Sequence, residues 1–127
     1  MKSLLGNSNT RRADITFFST GRIDISSALS KQLHLHNGDV IDIIEHNSEY
    51  YLIVRHRSVN VIGRHVGQCY PTNKHKSCNN YRCYSKQLCR AIVSISLTSP
   101  ARLCVGLPLE LPPYGIGIPL ITRNPIK

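Results

Sequence analysis

Two sets of residues in this chain have the chemistry to make a site. The first is cationic and aromatic. Arg55-His56-Arg57, Arg64-His65, Lys74-His75-Lys76, Arg82, Lys86 and Arg90 follow one another, with Tyr70, Tyr81 and Tyr84 interleaved. Lysine and arginine neutralise phosphates and release their counterions, and exposed tyrosine rings stack on unpaired bases. The same residues would equally make a solvated face with the tyrosines half-buried in a β-barrel. The second set is thiol and imidazole. Cys69, Cys78, Cys83 and Cys89, with His65 and His75, fall within 25 residues and are all zinc donors. They contain no Cys-x-x-Cys pair, and the cysteine spacings of nine, five and six match no standard zinc pattern. No metal site is assigned, and Cys89 and Cys104 read as small core residues.

Catalytic constellations are sparse. Cys78 and His75 are close in sequence but sit in a polar loop with no group to orient them. Asp39, Asp42 and Glu45 gather near one strand, where Asp39 reads as a turn residue and the other two as solvent-facing. There is no phosphate-cradling glycine loop, serine elbow or dinucleotide fingerprint. A non-catalytic protein without a cofactor is expected.

The charge balance favours an anionic partner. Of the 127 residues, 1–49 hold five Lys/Arg and six Asp/Glu, net −1, whereas 50–127 hold eleven Lys/Arg and one acid, Glu110, net +10. Nucleic acid is the partner class this asymmetry points to first. The cations expected to contact it are Arg55, Arg57, Arg64, Lys74, Lys76, Arg82, Lys86, Arg90, Arg22 and Lys31, with Arg11 and Arg12 as secondary candidates. The alternative is a protein-interaction or structural module that binds a peptide or partner chain at a barrel rim. No stretch reaches transmembrane length, the first apolar run is too short for a signal peptide, and five cysteines suit a reducing interior. A cytoplasmic monomer or homodimer without membrane association is expected.

The elements that must position these residues follow from local patterns. Residues 1–12 read as a flexible basic arm, 13–123 as one domain and 124–127 as a tail. Alternation in 14–19 places Ile15 and Phe17 on one face of a strand. Gly21 turns the chain into a second strand, 22–25. Ser26 or Ser27 caps a short helix through Leu29 and Leu33. Asn37-Gly38-Asp39 turns into a strand over 40–44, and a hairpin returns over 50–55. After 66–70 and a basic loop, 71–80, a strand over 81–84 leads to a helix capped by Ser85 and running through Leu88, Ala91 and Ile92. Residues 93–102 are expected to be an extended insertion stopped by Pro100. Strands over 107–111 and 116–122, joined at Pro112-Pro113-Tyr114-Gly115, close the domain.

The order strand, capped helix, glycine turn, strand thus occurs twice, once in 13–57 and again in 64–123. Such self-similarity predicts two related halves. The expected fold is mainly β with short helices, a closed β-barrel of two pseudo-symmetric strand-strand-helix-strand-strand halves.

Gly21-Arg22-Ile23, Leu29, Leu33, Leu35 and Gly38-Asp39 together resemble the swapped-hairpin DNA-binding domain of the AbrB/MazE/SpoVT type, over residues 15–54. The resemblance implies an intertwined unit that binds DNA, with Arg22 and the basic helix position Lys31 as contacts. Where that family carries a proline, a helix arginine and a glycine, this chain has Ser26, Ser30 and His34. Two such units in one chain resemble the double-psi and related cradle-loop barrels, a fold that hosts many functions.

Overall fold

The side chains of Ile15, Phe17, Ile23, Ile25, Cys83 and Leu103 lie at alternate positions along their strands, and all are buried. That alternation builds the core, because every second side chain of a strand points to the same face. In a computed structural model, residues 12–56, 67–72 and 79–126 are described, apart from the side chain of Asn124. The elements are β1 (Ile15–Phe17), β2 (Arg22–Ile25), α1 (Ser27–Gln32), β3 (Val40–His46), β4 (Glu49–Arg55), β5 (Tyr70–Pro71), β6 (Tyr81–Tyr84), α2 (Lys86–Ser96), β7 (Ala101–Val105), β8 (Leu109–Leu111) and β9 (Gly115–Ile126). The strands form one antiparallel sheet in the order β3-β4-β9-β7-β1-β2-β6-β5, with β8 paired to β9.

The pairings obey a twofold exchange. Replacing β1, β2, β3 and β4 by β5, β6, β7 and β9 turns β1–β2 into β5–β6 and β3–β4 into β7–β9, and returns β2–β6 and β4–β9 to themselves. One counterpart is incomplete. β1 pairs with β7 over three residues, whereas β3 meets the chain entering β5 only at the bridge Val40–Gln68. The expected closed barrel is therefore an open half-barrel. Part of the reason lies in β5, which is two residues long and ends at Pro71. Proline has no amide to continue a ladder. On β3 itself the edge amide of Ile43 is taken by Asp42 Oδ1 at 2.8 Å.

Gly67 makes the joint that remains. Its N–H donates to Tyr84 O (2.9 Å) and its carbonyl accepts from Ile41 N (3.1 Å). It adopts φ +83°, and a Cβ there would lie 2.9 Å from Ile41 O, so glycine is required on both counts.

Both helices contribute to the core, α1 through Leu29 and α2 through Cys89 and Ile92. Ser26 Oγ accepts from Leu29 N–H and Ser85 Oγ from Leu88 N–H, each at 3.1 Å, so both serine caps form as expected. His34 takes a left-handed φ of 53°. α2 packs against β1, β2, β7 and β9, burying Cys89, Ile92 and Ser96. It runs on to Ser96, so the first part of the expected extended insertion is helical. The β-branched residues there suggest a strand, but burial of the Ile92 face decides the conformation. Similarly β9 continues through Ile126, absorbing most of the expected tail. No described helix is long and apolar enough to cross a membrane.

Candidate nucleic-acid interface

The outer face of the sheet carries two rows of side chains. Strand register aligns Tyr70 with Arg82, Arg82 with Asp24, Asp24 with Thr16 and Thr16 with Arg102. The second row, two residues along, sets Tyr84 opposite Arg22, and Phe18 N–H donates to Arg22 O (2.9 Å). Rows two residues apart on a strand are about 7 Å apart. Tyr70 and Tyr84 are 40% and 52% exposed. Partial desolvation first, then the neighbouring Tyr84 hydroxyl, raises the phenol pKa of Tyr70.

Asp24 sets the geometry of the cations. Its Oδ1 accepts from Arg82 Nε at 2.8 Å and its Oδ2 lies 3.3 Å from Arg22 Nη2. The hydrogen bond to Asp24 raises the pKa of Arg82 further, so it stays charged. The Arg22 guanidinium lies 4.1 Å from the Phe18 ring centroid, a cation–π contact. Its Nε is buried with no hydrogen-bond partner among the described residues.

Of the cations expected from sequence, the fold gathers Arg22 and Arg82 on this face. Lys86 begins α2 at the edge of the same region, where its side chain packs beside Gly21. Arg90 follows one helical turn later and is exposed. Lys31 is exposed on α1. Arg55 ends β4 and pairs with Asp42 at 3.3 Å, apart from the others. Arg57, Arg64, Lys74 and Lys76 lie outside the described residues, as do Arg11, His65, His75 and Cys78. Sequence reasoning missed Arg102, which register places in the first row. It also counted Tyr81 with the outer tyrosines. Tyr81 is buried, its hydroxyl donating to Leu35 O at 3.1 Å, because positions 81 and 84 differ in parity along one strand.

Charge is uneven across the sheet. β6, β2 and β7 with the start of α2 carry Arg82, Arg22, Arg102, Lys86 and Arg90 against Asp24, whereas β3 and β4 carry Asp42, Glu45 and Glu49 against Arg55. A groove of about 550 Å³ runs between β3 and α2, lined by Ile41, Ile43, Leu88, Ala91 and Ile95 with Asp42 and Glu45. Leu107, Leu109, Tyr114 and Ile116 are exposed around the β8–β9 hairpin.

Among the described residues the thiols join no cluster of metal-ligating side chains. Cys69, Cys83 and Cys89 are buried in the core. The neighbouring Cys69 sulfur, followed by desolvation, pushes the Cys83 thiol far up, and desolvation raises Cys89. Side chains of metal-ligating type converge elsewhere. Asp39, buried at the start of β3, presents Oδ2 to His56 Nδ1 at 2.9 Å and to His36 Nδ1 at 3.8 Å. The sequence held a signal for this. Asn47 and Ser48 both have positive φ, as a two-residue hairpin turn of type I′ requires. Counting outward from that turn sets Asp39 opposite His56. Comparison with family models, with curated proteins and with solved structures returned no match.

Proposed function

We propose that the protein binds single-stranded nucleic acid on the outer face of β5, β6 and β2, extending onto β1 and β7. The observation that carries this reading is the register of the two rows, which sets Tyr70 and Tyr84 beside Arg82 and Arg22. Tyrosine rings beside guanidinium groups offer stacking for bases and charge for the backbone, without base selectivity. Lys86, Arg90 and Arg102 extend the cationic field around it. The role is binding and needs no catalytic step. The same reading takes the two halves as one unit used twice, with β2–β6 on the pseudo-twofold axis at the centre of the interface.

Fluorescence anisotropy with a labelled single-stranded oligonucleotide tests the proposal. Affinity falls with salt, and Arg82→Ala reduces the log–log slope by about 0.7, one phosphate's worth on a single strand. Tyr84→Ala weakens binding by about 1–3 kcal/mol for one lost base stack while leaving the slope unchanged. Absence of binding at low salt refutes the proposal.

A second reading rests on the β3–α2 groove. Beyond the bridge at Val40, β3 has no strand partner on that side among the described residues. An extended partner segment bearing Lys or Arg would displace Asp42 Oδ1 from the Ile43 amide to pair with this edge, place apolar side chains against Ile43, Leu88 and Ile95, and meet Glu45.

A further inference from the structure

We propose that His36, Asp39 and His56 form a binding site for a borderline transition-metal ion, of which zinc is the representative. The three candidate donor atoms lie within 4.8 Å of one another. Metal–donor bonds of about 2.0–2.1 Å in a tetrahedral site hold donors about 3.3 Å apart. The observed separations of 2.9 Å and 3.8 Å from Asp39 Oδ2 lie on either side of that value. The remaining contraction falls on two imidazoles that are 78% and 60% exposed and turn at little cost.

The carboxylate is built in rather than placed by chance. Its side chain is 3% exposed, and Oδ2 also accepts His36 N–H at 2.9 Å, a contact that orients it as an outer partner would. The backbone around it is fixed three times. Asp39 N donates to His36 O (3.0 Å), Cys69 N to Asp39 O (2.7 Å) and Gly38 N to Cys69 O (2.8 Å). The two histidines arrive on separate segments, one on the turn after α1 and one just past β4. Their rings stand edge-on at 67° with centroids 6.3 Å apart, so they do not stack, and both turn Nδ1 to the same oxygen.

Two imidazoles and one carboxylate suit zinc, cobalt or nickel and not calcium or magnesium, which take oxygen donors. Three protein ligands leave a position for water or an outside group. His56 also lines a cavity of about 420 Å³ with His34, Gln32 and Tyr114, which gives such a group space beside the ion. The site is separate from the outer sheet face and independent of nucleic-acid binding.

Isothermal titration of the chelator-treated full chain with zinc, and with cobalt followed by visible absorption, tests the inference. One ion per chain is expected, with the absorption of low-coordinate cobalt. Because His36 and His56 are exposed, His36→Ala and His56→Ala retain the fold. Each is expected to cost more than the roughly 10–100-fold that loss of an outer-shell partner costs. Zinc raises the melting temperature of the parent chain and leaves that of the double histidine variant unmoved. No binding to the parent, or equal binding by the double variant, overturns the proposal, and the latter result assigns the ion to other donors such as the thiols.

Discussion

Asp24→Asn makes the sharpest test of how the outer face works, because it removes an acid from a surface proposed to bind an anion. Asp24 holds Arg82 at 2.8 Å and Arg22 at 3.3 Å, and the side chains are each about one-third exposed. Ion pairs this open are screened by solvent and contribute about 0.2–1 kcal/mol apiece. Loss of both lowers stability by about 1 kcal/mol, and asparagine retains the shape and one acceptor. Binding moves the other way. A unit charge about 4 Å from a phosphate in water contributes about 1 kcal/mol, so removing the repulsion strengthens oligonucleotide affinity about fivefold at low salt. If the substitution lets one further phosphate be neutralised, the log–log salt slope steepens by about 0.7. Anisotropy titrations across a salt series measure both quantities, and urea unfolding measures stability. Weaker or unchanged binding by a folded variant refutes the reasoning. It would mean that Asp24 matters by aiming the guanidiniums, or that the oligonucleotide binds elsewhere.

Two further outcomes concern the scaffold. Burial first, then the Asp39 charge and Cys69, raises the Tyr81 phenol pKa above 10.0. The unfolded chain therefore loses this proton before the folded one. The stabilisation is full below pH 10 and is lost as pH climbs from there through the raised folded value. Tyr81→Phe flattens that alkaline decline in urea midpoints and costs about 1–2 kcal/mol near neutrality by leaving Leu35 O without its donor. Gly67→Ala places a side chain on a left-handed residue and against Ile41 O. It costs at least about 1–2 kcal/mol in denaturant unfolding, and a neutral result would show that the β3–β6 joint is not needed.

Much of the local structure was legible. Alternation at Ile15, Phe17, Ile23 and Ile25 set the inner face of β1 and β2. The serines at 26 and 85 announced the helix starts, since a serine oxygen satisfies one of the unpaired amides of a first turn. Gly21 and Gly38 marked turns that need φ near +100°. The candidate interface was half legible. Arg22 and Arg82 were singled out for their charge, and parity alone separates Tyr84 from Tyr81. Counting from the Asn47-Ser48 turn would have brought His56 to Asp39.

The sequence by itself determined where strands and helices begin and which strand faces are apolar, because those follow from side chains within a few residues of one another. Tertiary structure decided what those rules do not reach. It left the ring open at β3, where the chain entering β5 makes one bridge and then meets Pro71. It carried α2 to Ser96 by burying Ile92 against strands from both halves. It put Asp24 between two arginines 60 positions apart in the chain. Each of these depends on which strand lies beside which, and pairing partners distant in sequence are chosen by the packing of the whole molecule.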